Sequence, residues 1–355
     1  MQRKTAAYID REAIQCNFSV ARSLAPDAKA VAIIKADAYG HGILQVAEAL
    51  QDLAPMFGVA TIDEALVLRE GGIGNAILVL EGVTTSDACE TAGAHDLVLM
   101  VHASEQVEMI TGVGAPASAW IKVDTGMHRL GINSADLAET LNKLREGGVD
   151  VQAICTHLSS AEETDKVVTR EQLLEFGQCT AGIDLPLSIA NSAAIIAWPD
   201  SRADWVRPGI MIFGVSPFPG DAHAVQSLQP AMTLSSEIIA IRQIPAGDSV
   251  GYGARWTADR KSVIATVAVG YADGYPRHAP NGTPVFVGGE VVPLVGCVSM
   301  DMITVDVTDH SGVSVGDLVE LWGSNLLVNE VAECAGTIGY ELLTGVTSRV
   351  PRIYD

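Results

Sequence analysis

The sequence predicts an α/β protein: a (β/α)8 barrel of the TIM type in its amino-terminal part, then a mostly β domain. Three observations predict it. Short apolar runs alternate with longer amphipathic stretches over the first part of the chain; these runs number about eight, the count of a closed parallel barrel; and from about residue 232 the rhythm changes to β-branched runs bounded by Gly and Pro. At 355 residues the chain exceeds the size at which one core stops growing, so two domains are expected, residues 1–228 and 229–355.

The barrel strands are read at residues 32–34, 57–60, 77–80, 97–100, 119–123, 151–155, 187–190 and 210–213. Between them, segments such as 42–53, 62–70, 135–146 and 167–176 carry apolar residues at helical spacing. An open doubly wound sheet is the competitor, but it requires a glycine-rich phosphate turn after its first strand, and Tyr39-Gly40-His41-Gly42 lacks that pattern. In the second domain, strands are read at 237–244, 262–269, 283–287, 291–295, 302–307 and 318–322, with a short helix at 328–335. Residues 6–9 are strand-like as well and are a candidate to pair with this domain.

Acidic residues number 43 against 22 basic ones, a formal net charge of −21, which argues against nucleic acid and anionic membranes as partners. The start of the chain has basic residues but no long apolar stretch behind them, so neither a signal peptide nor a membrane span is expected, and a cytoplasmic protein is. Cys16, Cys89, Cys155, Cys179, Cys297 and Cys334 are scattered without the paired spacing of a metal site or a disulfide framework, and no metal is expected.

The first candidate for chemistry is Lys35, which closes the apolar run at 31–34. A strand buried on both faces hands over to its loop at the catalytic end of a barrel. An amine desolvated there loses basicity and becomes a nucleophile toward carbonyls; the bland alternative is a lysine whose head reaches out to water. Other polar residues fall at the ends of later runs: Lys122 and Asp124, His157, Asn191 and Ser192. A barrel gathers all these ends on one face.

Several longer motifs then stand in order: Lys35-Ala36-Asp37-Ala38-Tyr39-Gly40, Lys122-Val123-Asp124-Thr125-Gly126-Met127-His128-Arg129-Leu130-Gly131, Thr156-His157-Leu158 and Arg207-Pro208-Gly209-Ile210. Val250-Gly251-Tyr252-Gly253, Gly270-Tyr271-Ala272-Asp273-Gly274, Ser299-Met300-Asp301 and Ser348-Arg349-Val350-Pro351-Arg352 follow in the β-rich part. With these residues the sequence resembles the alanine racemases, fold type III pyridoxal-phosphate enzymes, along nearly its whole length.

The resemblance implies a barrel that binds pyridoxal phosphate and a β domain that carries a tyrosine base. Lys35 would hold the cofactor covalently, and Tyr39, Ser192, Gly209, Ile210 and Tyr340 its phosphate, with Asn191 in the same shell. Arg207 would face the pyridine nitrogen; always protonated, it disfavours a proton there and leaves the ring a weaker electron sink. Lys35 and Tyr252 would be the two bases of racemisation between L-alanine and D-alanine, with Arg129 binding the substrate carboxylate or the phenol oxygen and the backbone amide of Met300 the carboxylate. His157, Lys122 and Asp301 would support them, Lys122 at the position where the family's lysine can be carbamylated to orient the arginine. Tyr271 and Arg277, with Tyr340, would narrow the substrate entrance. A homodimer with shared active sites is implied, Tyr252 and Met300 of one chain completing the site of the other. The product would serve peptidoglycan synthesis or alanine catabolism. A serine or broad-specificity racemase is the alternative. A non-catalytic pyridoxal-phosphate carrier lacks the second domain, and a fold type III decarboxylase would bring a catalytic cysteine motif that is not found here.

Overall fold

Parallel strands Lys29–Ile33, Met56–Val59, Ala76–Val79, Leu97–Val101, Ser118–Asp124, Asp150–Cys155, Leu187–Ser188 and Trp205–Val206 close into a barrel in the computed structural model, which describes residues 3–113, 118–218, 220–221 and 227–355. Each strand pairs with the next in the chain save for one short insertion, and Trp205 opposite Lys29 joins the last to the first. Every residue of Met56–Val59 and Leu97–Val101 is buried, as strands covered on both faces must be.

The intervening helices include Ile43–Leu50, Ile62–Glu70, Ser86–Ala94, Ser104–Gly112, Leu137–Glu146 and Val168–Cys179. Thr61 and Thr85 cap two of them, their hydroxyls accepting the N–H of Glu64 at 3.4 Å and of Ala88 at 3.2 Å.

One strand differs from the sequence reading. The run at 210–213 is a 3-10 turn, Ile210–Phe213, and the eighth strand is Trp205–Val206. Pro208 has no N–H to continue a ladder. It gives only its carbonyl, to the N–H of Ile33 at 3.0 Å, after which Gly209 accepts from Ile212 at 2.8 Å and the chain turns. Ile210, Met211, Ile212 and Phe213 are apolar because they are buried, and four apolar residues in a row do not distinguish a strand from a buried turn.

The second compact unit comprises the amino-terminal segment through Ile14, Tyr39–His41 and the chain from Phe213 onward. The physical division between Ile212 and Phe213 thus precedes the boundary expected at 229, because Phe213 already packs within this unit. Its ring centroid lies 4.9 Å from Tyr39 and 4.4 Å from His41.

The spine of this unit is the 13-residue strand Met232–Ile244. It pairs antiparallel with Ala6–Ile9, with Leu318–Trp322 and, past a bulge between Ile238 and Ala240, with Ser262–Val267. Arg352–Tyr354 runs parallel to Ala6–Ile9 at the edge. Pro284–Val287 and Glu290–Pro293 form a hairpin whose two-residue turn, Gly288-Gly289, takes φ of 61° and 94°, the left-handed region that such a tight turn needs. Leu234, Ile238, Val305, Val319 and Trp322 form part of its core. Among the described residues no helix is long and apolar enough to cross a membrane.

Candidate active site

At the carboxyl end of the first barrel strand the backbone does something the sequence does not announce. Lys35–Gly40 is a single helical turn in which Ala36, Asp37, Ala38 and Tyr39 have φ of 54°, 53°, 52° and 54°, so it is wound left-handed. Residues with a Cβ pay roughly 1–2 kcal/mol each for that conformation, and such strain collects at functional sites. Hydrogen bonds hold it. Ala38 donates to the Ile34 carbonyl at 2.8 Å, and Gly42 to the Asp37 carbonyl at 3.0 Å. The Asp37 carboxylate accepts from Ile43 at 2.8 Å, and Glu64 accepts the N–H of Ala36 at 2.6 Å and of Ala60 at 2.7 Å.

Arg207, which follows the last strand, is buried in the barrel mouth. Its guanidinium donates to the Ser188 hydroxyl at 2.8 Å and to the carbonyls of Thr156 and Ile189 at 2.6 and 3.1 Å, and it lies 3.4 Å from Nδ1 of His157. These partners are neutral, so the guanidinium keeps its charge at a desolvation cost that pulls its pKa below the usual value. His157 is pushed well below the ordinary histidine range, by burial first and then by the cations Arg207, Lys122, Arg129 and Lys35. A neutral imidazole beside a guanidinium that can only donate accepts at Nδ1 and therefore carries its proton on Nε2.

Lys122 sits in the fifth strand, opposite Cys155, with its pKa lowered by burial first and then by Arg207 and Arg129. Arg129 is carried on the loop after that strand. Asp124 organises the loop: one carboxylate oxygen accepts from Gly126, Met127 and His128 at 2.9, 3.0 and 3.0 Å. Burial would raise the Asp124 pKa, but the N–H groups of Gly126 and His128, with the His128 ring, outweigh it and hold it below the usual carboxylate value. At Gly131 the loop rejoins the strand at φ 140°, where a Cβ would collide with the backbone nitrogen of Asp124.

Ser192 opens the helix Ser192–Ala197, and its hydroxyl accepts the N–H of Gly209 at 2.9 Å. Asn191 is the cap of that helix, its side chain accepting from Ala194 at 3.0 Å. Ile210 is fully buried beside them. The barrel thus brings together Lys35, Lys122, His157, Asn191, Ser192, Arg207, Gly209 and Ile210 at the ends of its strands, with Arg129 on the loop above one of them.

The second unit carries the remaining candidates. Tyr252 stands in the turn Tyr252–Ala254 between Gly251 and Gly253, at φ 75° and 74°, and is 71% exposed; Met300 is 53% exposed and Tyr271 38%. Tyr271 donates its N–H to the Ser299 carbonyl and Ala272 to that of Met300, both at 3.0 Å, so the two segments are tied together. Beneath them Asp273, fully buried, receives both terminal nitrogens of Arg3 at 2.6 Å, and Arg349 reaches Asp301 at 2.8 Å. Arg277 is exposed. Tyr39 is buried, its ring centroid 6.0 Å from that of Tyr340, and burial raises its phenol pKa, leaving it a protonated donor. Ser188, Arg3 and Glu64 were not singled out from the sequence, and Asp273 entered only as part of the 270–274 motif. Glu64 had a local signal there, three residues after Thr61 in a capping pattern.

The donor set fits pyridoxal phosphate. An amine is present for the aldehyde, a guanidinium for the ring nitrogen, and a hydroxyl with a glycine N–H for the phosphate, and the groups that crowd His157 are all cations. Among the described residues no cluster of His, Cys, Asp and Glu is placed to hold a metal.

Comparison with known proteins gives the same direction throughout. Residues 9–217 match the family described as alanine racemase, N-terminal domain, and residues 231–354 match alanine racemase, C-terminal domain. The alanine racemase of Alteromonas mediterranea is 46% identical over 355 residues, 99% of each chain. A solved biosynthetic alanine racemase from Pseudomonas aeruginosa superposes with a TM-score of 0.97 at 44% identity, over 100% of both chains. The alanine racemase from Bartonella henselae, solved with covalently bound pyridoxal phosphate, gives 0.91 at 31% identity, again over 100% of both. Two matched domains spanning nearly the whole sequence, and relatives this similar along their full length, place the chain in the alanine racemase family, and it is an amino-acid racemase.

Proposed function

We propose that this chain interconverts L-alanine and D-alanine with pyridoxal phosphate, using Lys35 and Tyr252 as the two bases. The observation that carries the reading is a half-buried lysine in a barrel mouth crowded with cations, on a chain whose other unit holds a tyrosine out to solvent on a glycine-flanked turn. Bound pyridoxal phosphate supplies the electron withdrawal that makes the alanine Cα proton removable. Racemisation then needs one base for each face of Cα: Nζ of Lys35 for one, Oη of Tyr252 for the other. Ser192, Gly209 and Ile210 of the barrel would hold the phosphate, Tyr39 and Tyr340 being the further candidates for it, and Asn191 fixes the helix on which Ser192 sits. The barrel is the cofactor domain, and the β domain brings the tyrosine.

The His157 tautomer suits it to partner a tyrosine base. With Nδ1 turned to Arg207, the Nε2–H is free to stabilise a phenolate, while the guanidinium behind it supplies positive charge. Arg129 and the backbone N–H of Met300 bind the substrate carboxylate, Asp301 fixes the Met300 segment through Arg349, and Tyr271 and Arg277 limit the size of the side chain admitted. The depressed pKa of Lys122 leaves more of its amine neutral, the form that adds carbon dioxide; the carbamate so formed loses one proton to water and draws Arg129 toward it. The exposure of Tyr252 and Met300 supports a homodimer in which a second copy covers them. The family match over residues 231–354 weighs against a carrier protein without a second domain.

Two variants test the barrel network. Arg207→Lys replaces a fork that serves two carbonyls and a hydroxyl with a single ammonium, and racemisation is expected to fall by about a hundredfold in a folded protein. Steady-state kinetics on the purified variant check this, and a rate within threefold or so of wild type would remove Arg207 from the mechanism.

His157 makes a prediction about pH. Its folded pKa lies below its unfolded value near 6.5, so below about pH 6.5 the unfolded chain binds a proton that the folded chain refuses. Stability is therefore lost as pH falls through that point, by up to about 1.4 kcal/mol per pH unit from this group. Urea unfolding between about pH 7.5 and 5.5 should show a shallower acid decline in His157→Gln than in wild type; parallel curves would contradict the assignment.

A further inference from the structure

We propose that Glu64 is the positioning residue for Lys35, acting through the left-handed turn that presents the lysine. The inference rests on the reading of Lys35 as the cofactor lysine and goes beyond it by assigning what holds that lysine in place. Three observations converge. The turn is strained along four consecutive residues with side chains, Ala36 to Tyr39, none of them glycine. Ala36, the residue directly after Lys35, is solvent-exposed, yet its N–H is bonded to a carboxylate rather than left to water.

The third observation is where that carboxylate comes from. Glu64 stands three residues after Thr61, the cap of helix Ile62–Glu70, and in a capping box a glutamate there folds back onto the N–H of its own cap residue. Here it does not. One oxygen takes the Ala60 N–H at 2.7 Å and the other reaches across to Ala36 at 2.6 Å, so a single carboxylate ties the end of the second barrel strand to the first residue of the strained turn. Both bonds are short and charge-assisted, the strong kind. Glutamine accepts through one oxygen only and would press its amide N–H groups against one of the two backbone N–H groups. Aspartate keeps the charge but is one methylene too short to bridge both.

The test uses the full chain as wild type, Glu64→Gln, Glu64→Asp, and Glu64→Gln combined with Ala36→Gly. Backbone hydrogen exchange is measured with and without cofactor. The rate at which Lys35 takes up added pyridoxal phosphate is followed by visible absorbance, and kcat and KM are measured for alanine. Glu64→Gln is expected to speed exchange at residues 36–39 by about tenfold or more, what one charge-assisted hydrogen bond corresponds to, while strand Leu97–Val101 is unchanged. Cofactor uptake slows and kcat drops by a similar factor, with KM within about twofold. Glu64→Asp lies between. Adding Ala36→Gly restores uptake and kcat several-fold, since glycine adopts the left-handed conformation without the clamp.

Unchanged exchange at 36–39 would overturn the clamp. Faster exchange with wild-type uptake and kcat would overturn the positioning role. Uptake and exchange do not depend on racemisation: a wild-type chain that binds the cofactor at Lys35 without racemising alanine sinks the racemase reading, while the Glu64 result still stands or falls on these two measurements.

Discussion

Lys35→Ala is expected to abolish covalent cofactor attachment and to lower alanine racemisation by at least about 10⁴-fold, the upper range for removing an acid–base group, with the barrel still folded. Alanine removes only the amine. The left-handed turn is held by backbone donors on Ala36, Ala38 and Gly42 and by the carboxylates of Asp37 and Glu64, none of which is on Lys35. Sodium borohydride reduction followed by peptide mapping should find pyridoxyl-modified Lys35 in wild type and no modified lysine in the variant. A modified lysine elsewhere, or an undiminished visible band, would mean that the cofactor is held by another residue.

The second large effect concerns assembly. Lys35 lies in the barrel unit and Tyr252 in the other, where it stands 71% exposed. If two copies share their sites, Lys35→Ala and Tyr252→Phe chains are each inactive as pure dimers. Mixed under conditions of subunit exchange, they should recover about a quarter of wild-type activity, because random pairing makes half the dimers mixed and each mixed dimer has one intact site. No recovery, with exchange shown independently by mass, would mean that both residues of each site belong to one chain.

Much of this site was legible because barrel chemistry sits at strand ends, and an apolar run that stops at a lysine, histidine or serine marks such an end without any knowledge of packing. Lys35, His157 and Ser192 were found that way and lie just past the ends of their strands, while Lys122 stands within its strand, near the carboxyl end. Tyr252, Met300 and Arg129 had no such signal and were named through motif resemblance alone. The strand at 205–206 was missed because two residues are too few to show a period, and the run at 210–213 took its place. The left-handed turn was invisible for a different reason. Ala36, Asp37, Ala38 and Tyr39 carry no glycine to mark positive φ, so the conformation is imposed by partners distant in sequence, Glu64 among them. Asp273 stood in a motif, but its ion pair with Arg3, 270 residues away, had no signal in the sequence.

The most direct test of the central claim is to add the purified holoenzyme to L-alanine and follow circular dichroism while total alanine is measured by chromatography. Two enantiomers have equal free energy, so the account predicts that the signal decays to zero with all the alanine retained, and that D-alanine decays to the same zero. A persistent signal, or one lost together with alanine as pyruvate or an amine appears, would contradict racemisation and point to transamination or decarboxylation instead.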